Sequence, residues 1–221
     1  MNILITGAAG NLGTVVVDYF LTKGHRVFAF VSPGKADKLN QKAGLTFYEA
    51  DLSNESETVK VIDSIIKQHG NLDAAFLLAG GFAMGSFTES SLADIHKMIK
   101  INFDTAYSVA RASHQQMSKQ ESGGKIVFVG AKPSLELSGS AMLGYTLSKA
   151  MLFNLAEMLN KESNQSKVFC SVIVPSTIDT PKNREDMPNA NFNEWVKPEF
   201  IAQQLEGILL GDTQGVLKLY K

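Results

Sequence analysis

Met1-Asn2-Ile3-Leu4-Ile5-Thr6-Gly7-Ala8-Ala9-Gly10-Asn11-Leu12-Gly13 is the stretch on which the fold turns. Asn2–Thr6 carries an apolar run with no polar face, the pattern of a strand buried on both sides. Three glycines follow at regular spacing and lead into an amphipathic helix, Leu12–Lys23. Gly7 permits a tight turn, Gly10 lets backbone amides approach an anion, and Gly13 lets the helix pack against the strand. Unpaired N–H groups at a helix start, with the positive end of its dipole, suit a phosphate. A pyrophosphate is therefore expected over Gly7, Gly10, Asn11, Leu12 and Gly13.

The same alternation continues along the 221 residues. Arg26–Val31, Thr46–Glu49, Asp73–Leu78, Lys125–Gly130, Val168–Val174 and Val216–Leu219 read as further strands, making seven with the first. Helical patterns lie between them at about Ser56–His69, Ser91–Lys119, Ala141–Lys161 and Pro198–Leu210. Strand–helix–strand repetition predicts right-handed crossovers and an α/β, Rossmann-type, doubly wound parallel sheet of seven strands in a single domain spanning residues 1–221. Pro175–Lys197 is the one long irregular stretch. It follows the sixth strand, at the edge where such sheets bind ligands, and is expected to cover a substrate.

Composition narrows the function classes. Lys plus Arg is 21 and Asp plus Glu is 22, a net charge of −1 that argues against a dedicated binder of nucleic acid or anionic membrane. Cys170 is the only cysteine, so neither an internal disulfide nor a thiolate cluster can form. His25, His69, His96 and His114 lack ligand-like spacing, and no metal site is expected. The start of the chain has no basic leader, and the apolar stretch around Leu72–Met84 is broken by Asp73 and by glycines. A cytoplasmic protein is expected.

The second strand ends Phe30-Val31-Ser32-Pro33-Gly34-Lys35, without the carboxylate that would bind a ribose 2′-hydroxyl and repel a 2′-phosphate. Ser32, Lys35 or Arg26 is then available to such a phosphate, so NADPH is slightly favoured over NADH. Asp51, followed by Leu52, ends the third strand, where a carboxylate can accept a hydrogen bond from an adenine amino group or serve the next helix start. In Tyr145-Thr146-Leu147-Ser148-Lys149 the phenol and the ammonium are four apart and share a helix face. A free phenol titrates near ~10, and a neighbouring Lys⁺ would lower that value and suit Tyr145 to acid–base work.

With these residues in view, the chain resembles the short-chain dehydrogenase/reductase superfamily over essentially its full length. The resemblance implies cofactor contacts at Gly7, Gly10 and Gly13, with Asn11 where many members have Gly. It implies further contacts at Ala79, Gly80 and Gly81 beside the adenosine ribose, and at Pro175 and Ile178 near the nicotinamide carboxamide, with Ser176 where Gly is common. It also implies that Lys149 binds the nicotinamide ribose and that Asn102 supports a proton-relay water. Most members carry a Ser just after the fifth strand; here Ala131 stands in its place, with Ser134, Ser138 and Ser140 further along. Losing a carbonyl-positioning donor costs roughly 10²–10³ in rate for a simple ketone.

Within that superfamily the chain is similar to the dihydropteridine reductases. Gly130-Ala131-Lys132 with Leu143-Gly144-Tyr145 resembles their Ala-for-Ser active-site strand, and Ala79-Gly80-Gly81-Phe82 their segment bordering the pterin. Asp179-Thr180-Pro181-Lys182-Asn183-Arg184, continuing through Met187-Pro188, Phe192 and Trp195 to Pro198-Glu199-Phe200, carries the resemblance furthest. Asn102 and the acid-free second strand depart from the subgroup. A quinonoid dihydropterin is electron-poor and needs hydride plus a proton, with no carbonyl oxyanion to hold, so Ala131 is tolerable there. Phe82, Ala131, Lys132 and Trp195 are the candidate substrate contacts, with Tyr145 as proton donor.

Two other readings compete: a reductase of another carbonyl or quinone, in which a nearby Ser replaces the missing one, and a non-catalytic dinucleotide-binding redox sensor. Retention of Tyr145, Lys149 and Asn102 together speaks against the sensor. The two longest helices carry Val109, Met117, Leu152, Leu155 and Met158 beyond a single buried stripe, so a homodimer is expected, with a tetramer second.

Overall fold

The computed structural model describes residues 1–36, 40–211 and 213–220. Seven strands, β1 (Asn2–Thr6), β2 (Arg26–Val31), β3 (Leu45–Glu49), β4 (Ala74–Leu77), β5 (Gly124–Val129), β6 (Val168–Val174) and β7 (Gly215–Lys218), form one sheet in the order β3-β2-β1-β4-β5-β6-β7. Every pairing is parallel. Between and after them come α1 (Asn11–Thr22), α2 (Glu55–His69), α3 (Leu92–Ile99), α4 (Thr105–Met117), α5 (Lys132–Glu136), α6 (Leu143–Lys161), α7 (Ser163–Ser166), α8 (Pro181–Asp186) and α9 (Pro198–Leu210). The expected fold class is the observed one: a doubly wound α/β sheet, here with all strands parallel.

Strand alternation explains the two cores. Ile3 and Ile5 of β1, Val27 and Ala29 of β2, and Val127 and Val129 of β5 face one side, where α1 and α9 supply Val16, Val17, Phe20, Ile201 and Leu205. Leu4, Phe28, Phe30, Ile126 and Phe128 face the other and meet α2, α4 and α6. Successive residues point to opposite faces, so strands apolar throughout need a helix layer on each side. Capping sets the helix starts that matter here. Asn54 caps α2, whose first turn carries Glu55 and Glu57. Ser91 and Asp94 make a reciprocal capping box at α3.

The reversal of strand order between β1 and β4 opens a crevice at the carboxyl ends of the sheet, where folds of this kind take ligands. The turn from β1 into α1 is pressed against its surroundings. Gly7 adopts φ 64°, and a Cβ there would lie 2.9 Å from the backbone of Ala79. A Cβ on Gly13 would overlap the carbonyl oxygen of Gly7. Thr6 Oγ1 accepts a 3.0 Å hydrogen bond from the Ala79 amide and ties this turn to the loop after β4.

Three expectations are corrected. The pattern Ser91–Lys119 is not one helix: α3 and α4 are joined by a π-helical turn, Lys100–Asp104. Pro175–Lys197 is not irregular, since α8 and a 3-10 turn at Phe192–Glu194 lie within it, closed at the neck by a bridge between Ile178 and Val196. Val109, Met117 and Leu152 are fully buried core residues, whereas Met158 stands exposed on α6. Among the described residues, no helix is long and apolar enough to cross a membrane.

Candidate active site

Four carboxyl-edge segments converge: the glycine turn after β1, the loop after β4, the end of β5 and the segment after β6. α1 begins at Gly10 without a side-chain cap and without an acidic residue in its first turn. Its leading amides, at the predicted positions Asn11, Leu12 and Gly13, keep the positive end of the helix turned toward the crevice edge. Beside this turn lies a cleft of about 620 Å³, lined by Ser32, Asp51, Leu52, Ala79 and Gly80 among the predicted contacts. Its remaining lining includes Lys97, Lys100 and Ile101. The Asp51 carboxyl is held below its usual range by hydrogen bonds from the Ser53 hydroxyl and amide, at 2.7 and 2.9 Å. Arg26 is at the amino end of β2, where it approaches Asn2 and His69, so it does not reach the cleft. Lys35 is exposed in the following loop and is not part of the cleft wall.

The π-helical turn brings Asn102 into the centre. It is fully buried, and its amide makes three hydrogen bonds: Oδ1 accepts from the Gly81 amide at 2.9 Å, while Nδ2 donates to the Gly81 carbonyl at 3.1 Å and to Ser148 Oγ at 3.0 Å. Gly81 offers a donor and an acceptor to one side chain, so the amide has a single satisfying orientation. π-helical turns widen the helix locally and concentrate at functional sites. The start of α6 is moored to the loop after β4, with the Leu143 amide donating to Gly85 O at 2.9 Å and the Gly85 amide to Ala141 O at 2.8 Å.

That mooring presents Tyr145 and Lys149 from one face of α6, as their spacing predicts. Tyr145 is half-buried, and its ring meets the Phe82 ring edge-on, with centroids 5.0 Å apart. Lys149 is buried; its Nζ donates to the Val129 carbonyl at 2.9 Å and lies where a Cβ on Gly80 would come within 3.3 Å. The same Cβ would be 2.6 Å from Asn102 Oδ1, so Gly80 marks the meeting point of Asn102, Lys149 and the cleft.

The electrostatics run against the expectation that Lys149 lowers the Tyr145 pKa. Burial pushes the Tyr145 phenol up to about 12, and burial lowers the Lys149 ammonium to about 8. Desolvation disfavours whichever form is charged, and Lys149 is turned to the Val129 carbonyl rather than to the phenol. Tyr145 is thus protonated at neutral pH.

The other predicted contacts divide. Ala131 is buried two residues past β5, at the N-cap of α5. Pro175 accepts from the Lys132 amide at 3.2 Å, and Ile178 sits at the loop neck. The Lys132 ammonium does not face the site: it lies 4.6 Å from the centre of the Tyr220 ring. Trp195 packs on Phe192 within the strap after β6, with centroids 4.7 Å apart. Arg184 covers the Phe192 ring and forks onto Asp179 at 2.6 and 2.8 Å. Ser134 Oγ is buried without a partner among the described residues, while Ser138 and Ser140 are exposed.

Sequence reasoning missed Ser148, Lys97 and Lys100. Lys97, Ile101 and Thr105 are spaced four apart and all line the cleft, a stripe that the uniform helix reading passed over. Ser148 sat inside the quoted Tyr145–Lys149 stretch, but its partner is 46 residues away.

A glycine turn between β1 and α1, a crevice at the strand-order switch and a Tyr–Lys face opposite it define a dinucleotide-binding α/β protein of the oxidoreductase class. Residues 1–191 match the short chain dehydrogenase family, and the chain belongs to it. It is similar to a dihydropteridine reductase from Dictyostelium discoideum, 29% identical over 207 residues that cover 92% of this chain and 85% of that one. It is also similar to a cyclic-di-GMP-binding biofilm dispersal mediator protein from Escherichia coli K12, at 27% identity over 84% of this chain and 76% of that one. Among solved structures, ElxO with NADP bound superposes with a TM-score of 0.89 at 22% identity, covering 99% of this chain and 96% of the other.

Proposed function

We propose that the chain reduces quinonoid dihydropteridine to tetrahydropteridine with NADPH or NADH, with Tyr145 as the proton donor. The observation that carries this reading is Ala131, a buried methyl just past β5, taken with the aromatic ring of Phe82 that flanks Tyr145. A site without a hydroxyl there suits a flat, electron-poor ring that needs no oxyanion held, and the likeness to a dihydropteridine reductase supports the same substrate class.

The chain's own residues fit a dinucleotide. Gly7 and Gly13 stand where a Cβ would collide with backbone, which is the packing a pyrophosphate turn requires. Asn11, Leu12, Ser32, Asp51, Leu52, Ala79, Gly80 and Gly81 would hold its adenosine half, and Pro175, Ile178 and Lys149 its nicotinamide half. When bound, the dinucleotide supplies the hydride. Tyr145 gives its Oη proton to the reduced ring system and regains it from solvent, to which it is partly open. Lys149 is cationic below about pH 8 and, buried beside Gly80, offers donors to the ribose hydroxyls. Ser32, Lys97 and Lys100 around an acid-free β2 end favour NADPH. Phe82 and Trp195 border the substrate, and the strap of residues 175–197 covers it.

A second reading, reduction of another carbonyl or quinone, rests on Ser134, whose buried Oγ lacks a partner and offers the missing hydroxyl. A dinucleotide-binding sensor is the third. We propose a cytoplasmic protein that forms a homodimer, the dimer because Tyr107 on α4 and Leu147 and Met158 on α6 are exposed apolar residues on the two long helices; a tetramer is the runner-up.

The deciding experiment is steady-state oxidation of NADPH and of NADH with freshly generated quinonoid dihydropterin, a quinone and a simple ketone. Expected is pterin turnover, faster with NADPH, that falls roughly 10²–10⁴-fold in Tyr145→Phe while dinucleotide affinity is kept. Turnover unchanged in that variant removes Tyr145 from the mechanism. Dinucleotide binding without turnover of any substrate moves the assignment to the sensor.

A further inference from the structure

The buried polar chain behind Tyr145 has a member with no role in the reading above. Ser148 is fully buried on α6. Its Oγ accepts from Asn102 Nδ2 at 3.0 Å and donates to the carbonyl of Tyr145 at 2.8 Å. A Ser hydroxyl bonding back along its own helix is ordinary behaviour. The bond from Asn102 is different, because it joins α6 to the π-helical turn across 46 residues. Asn102 in turn grips both backbone polar groups of Gly81, at 2.9 and 3.1 Å. The result is one directional chain: Gly81 backbone, Asn102 amide, Ser148 hydroxyl, Tyr145 carbonyl.

We infer that Ser148 is a positioning residue that sets the first turn of α6, and with it the Tyr145 phenol, against the Gly80–Phe82 segment. Every donor in the chain is used once. Both Nδ2 protons of Asn102 are placed, on Gly81 O and on Ser148 Oγ, and the Ser148 proton goes to Tyr145 O. Without the hydroxyl, Asn102 keeps a buried N–H with no acceptor, a penalised state that is relieved only by moving the amide. Such a movement changes the grip on Gly81. A Cβ on the adjacent Gly80 would lie 2.6 Å from Asn102 Oδ1 and 3.3 Å from Lys149 Nζ, so no room is spare there, and Phe82, on the other side of Gly81, packs on Tyr145. An error at Ser148 therefore reaches the donor from two directions, through its own carbonyl and through Phe82. Helix strength is not at stake, since Ala is the better helix former.

The inference rests on the reading of Tyr145 as proton donor, and the test separates the two. The full-length protein is compared with Ser148→Ala and Ser148→Thr, first by pterin-dependent NADPH oxidation. It is then compared by NMR of ¹³Cζ-labelled tyrosine, in which only five resonances occur and Tyr145→Phe assigns the one of interest. Expected for Ser148→Ala is a roughly tenfold fall in kcat, with KM and NADPH affinity within about twofold, as for a small misplacement of a reacting group. The Tyr145 resonance moves while those of Tyr19, Tyr48, Tyr107 and Tyr220 stay. Ser148→Thr, which returns the hydroxyl, restores kcat and the resonance toward their original values. Unchanged kcat with an unmoved Tyr145 resonance overturns the inference. So does a general shift of all five resonances with lost NADPH affinity, which marks Ser148 as merely structural. If the unaltered protein turns over no pterin, quinone or ketone, the donor reading fails, and the resonance alone still decides whether Ser148 positions Tyr145.

Discussion

The two sides of the crevice are built from different materials. On the dinucleotide side the surfaces are backbone held at close range, Gly7 against Ala79 and Gly13 against the Gly7 carbonyl, with Gly80 facing the buried Asn102 and Lys149 side chains. On the proposed substrate side they are side chains and a strap nearer to solvent. Phe82 is 59% exposed, and the strap after β6 carries its own Arg184–Phe192–Trp195 stack while Val196 and Ile178 at its neck reach the core. Backbone packing has no slack, because interiors are filled to crystal-like density. Exposed side chains can be exchanged with little effect on folding. The first side is therefore rigid, and the second, where we propose that the substrate binds, is free to vary.

That contrast is open to attack at three points of decreasing force. Gly13→Ala strikes the rigid side: its Cβ overlaps the Gly7 carbonyl and sits 2.8 Å from Ala8 Cα. NADPH affinity measured by titration calorimetry should fall more than about 100-fold, as contacts through the glycine turn are lost together. An alanine variant of unaltered affinity would erase the distinction between the two sides.

Lys149, where the sides meet, tests whether burial governs the electrostatics. Its pKa falls from 10.5 to about 8 on folding. Between those values the unfolded chain keeps a proton that the folded chain has released, so stability rises with pH across the window. Tyr145 acts in the opposite sense only above pH 10, because its folded pKa is raised to about 12. Thermal midpoints should therefore gain through pH 8–10 in the unaltered protein and lose that gain in Lys149→Met. Parallel profiles for the two proteins would mean that Lys149 is not desolvated.

Phe82→Ala probes the exposed side and should do least. Loss of one aromatic edge contact is worth ~0.5–1.5 kcal/mol, which corresponds to a several-fold rise in KM for the pterin with NADPH affinity and thermal midpoint unchanged. A fall in NADPH affinity as large as that of KM would show that the two sides are not separable.

Much of the architecture could be read directly. Strands apolar on both faces and the glycine spacing are local patterns, so the seven strands and the cofactor turn were placed to within a residue or two. Tyr145 and Lys149 followed from the period of a helix alone. The break in the long helix was not legible: Lys100–Asp104 has ordinary helix formers, and its π-helical turn accompanies the burial of Asn102 against Gly81 and Ser148. Lys132 and Arg26 were misjudged for a related reason. Sequence shows a charge, but the Tyr220 ring and the far end of the sheet decide where that charge points.

By itself the sequence determined the class of fold, the glycine turn and the Tyr–Lys face, because each is a matter of residue type and short-range period. Tertiary structure alone decided the direction of the pKa shifts, the closed strap after β6 and the chain from Gly81 through Asn102 and Ser148 to Tyr145. Those depend on burial and on partners tens of residues apart, and no local pattern carries that information.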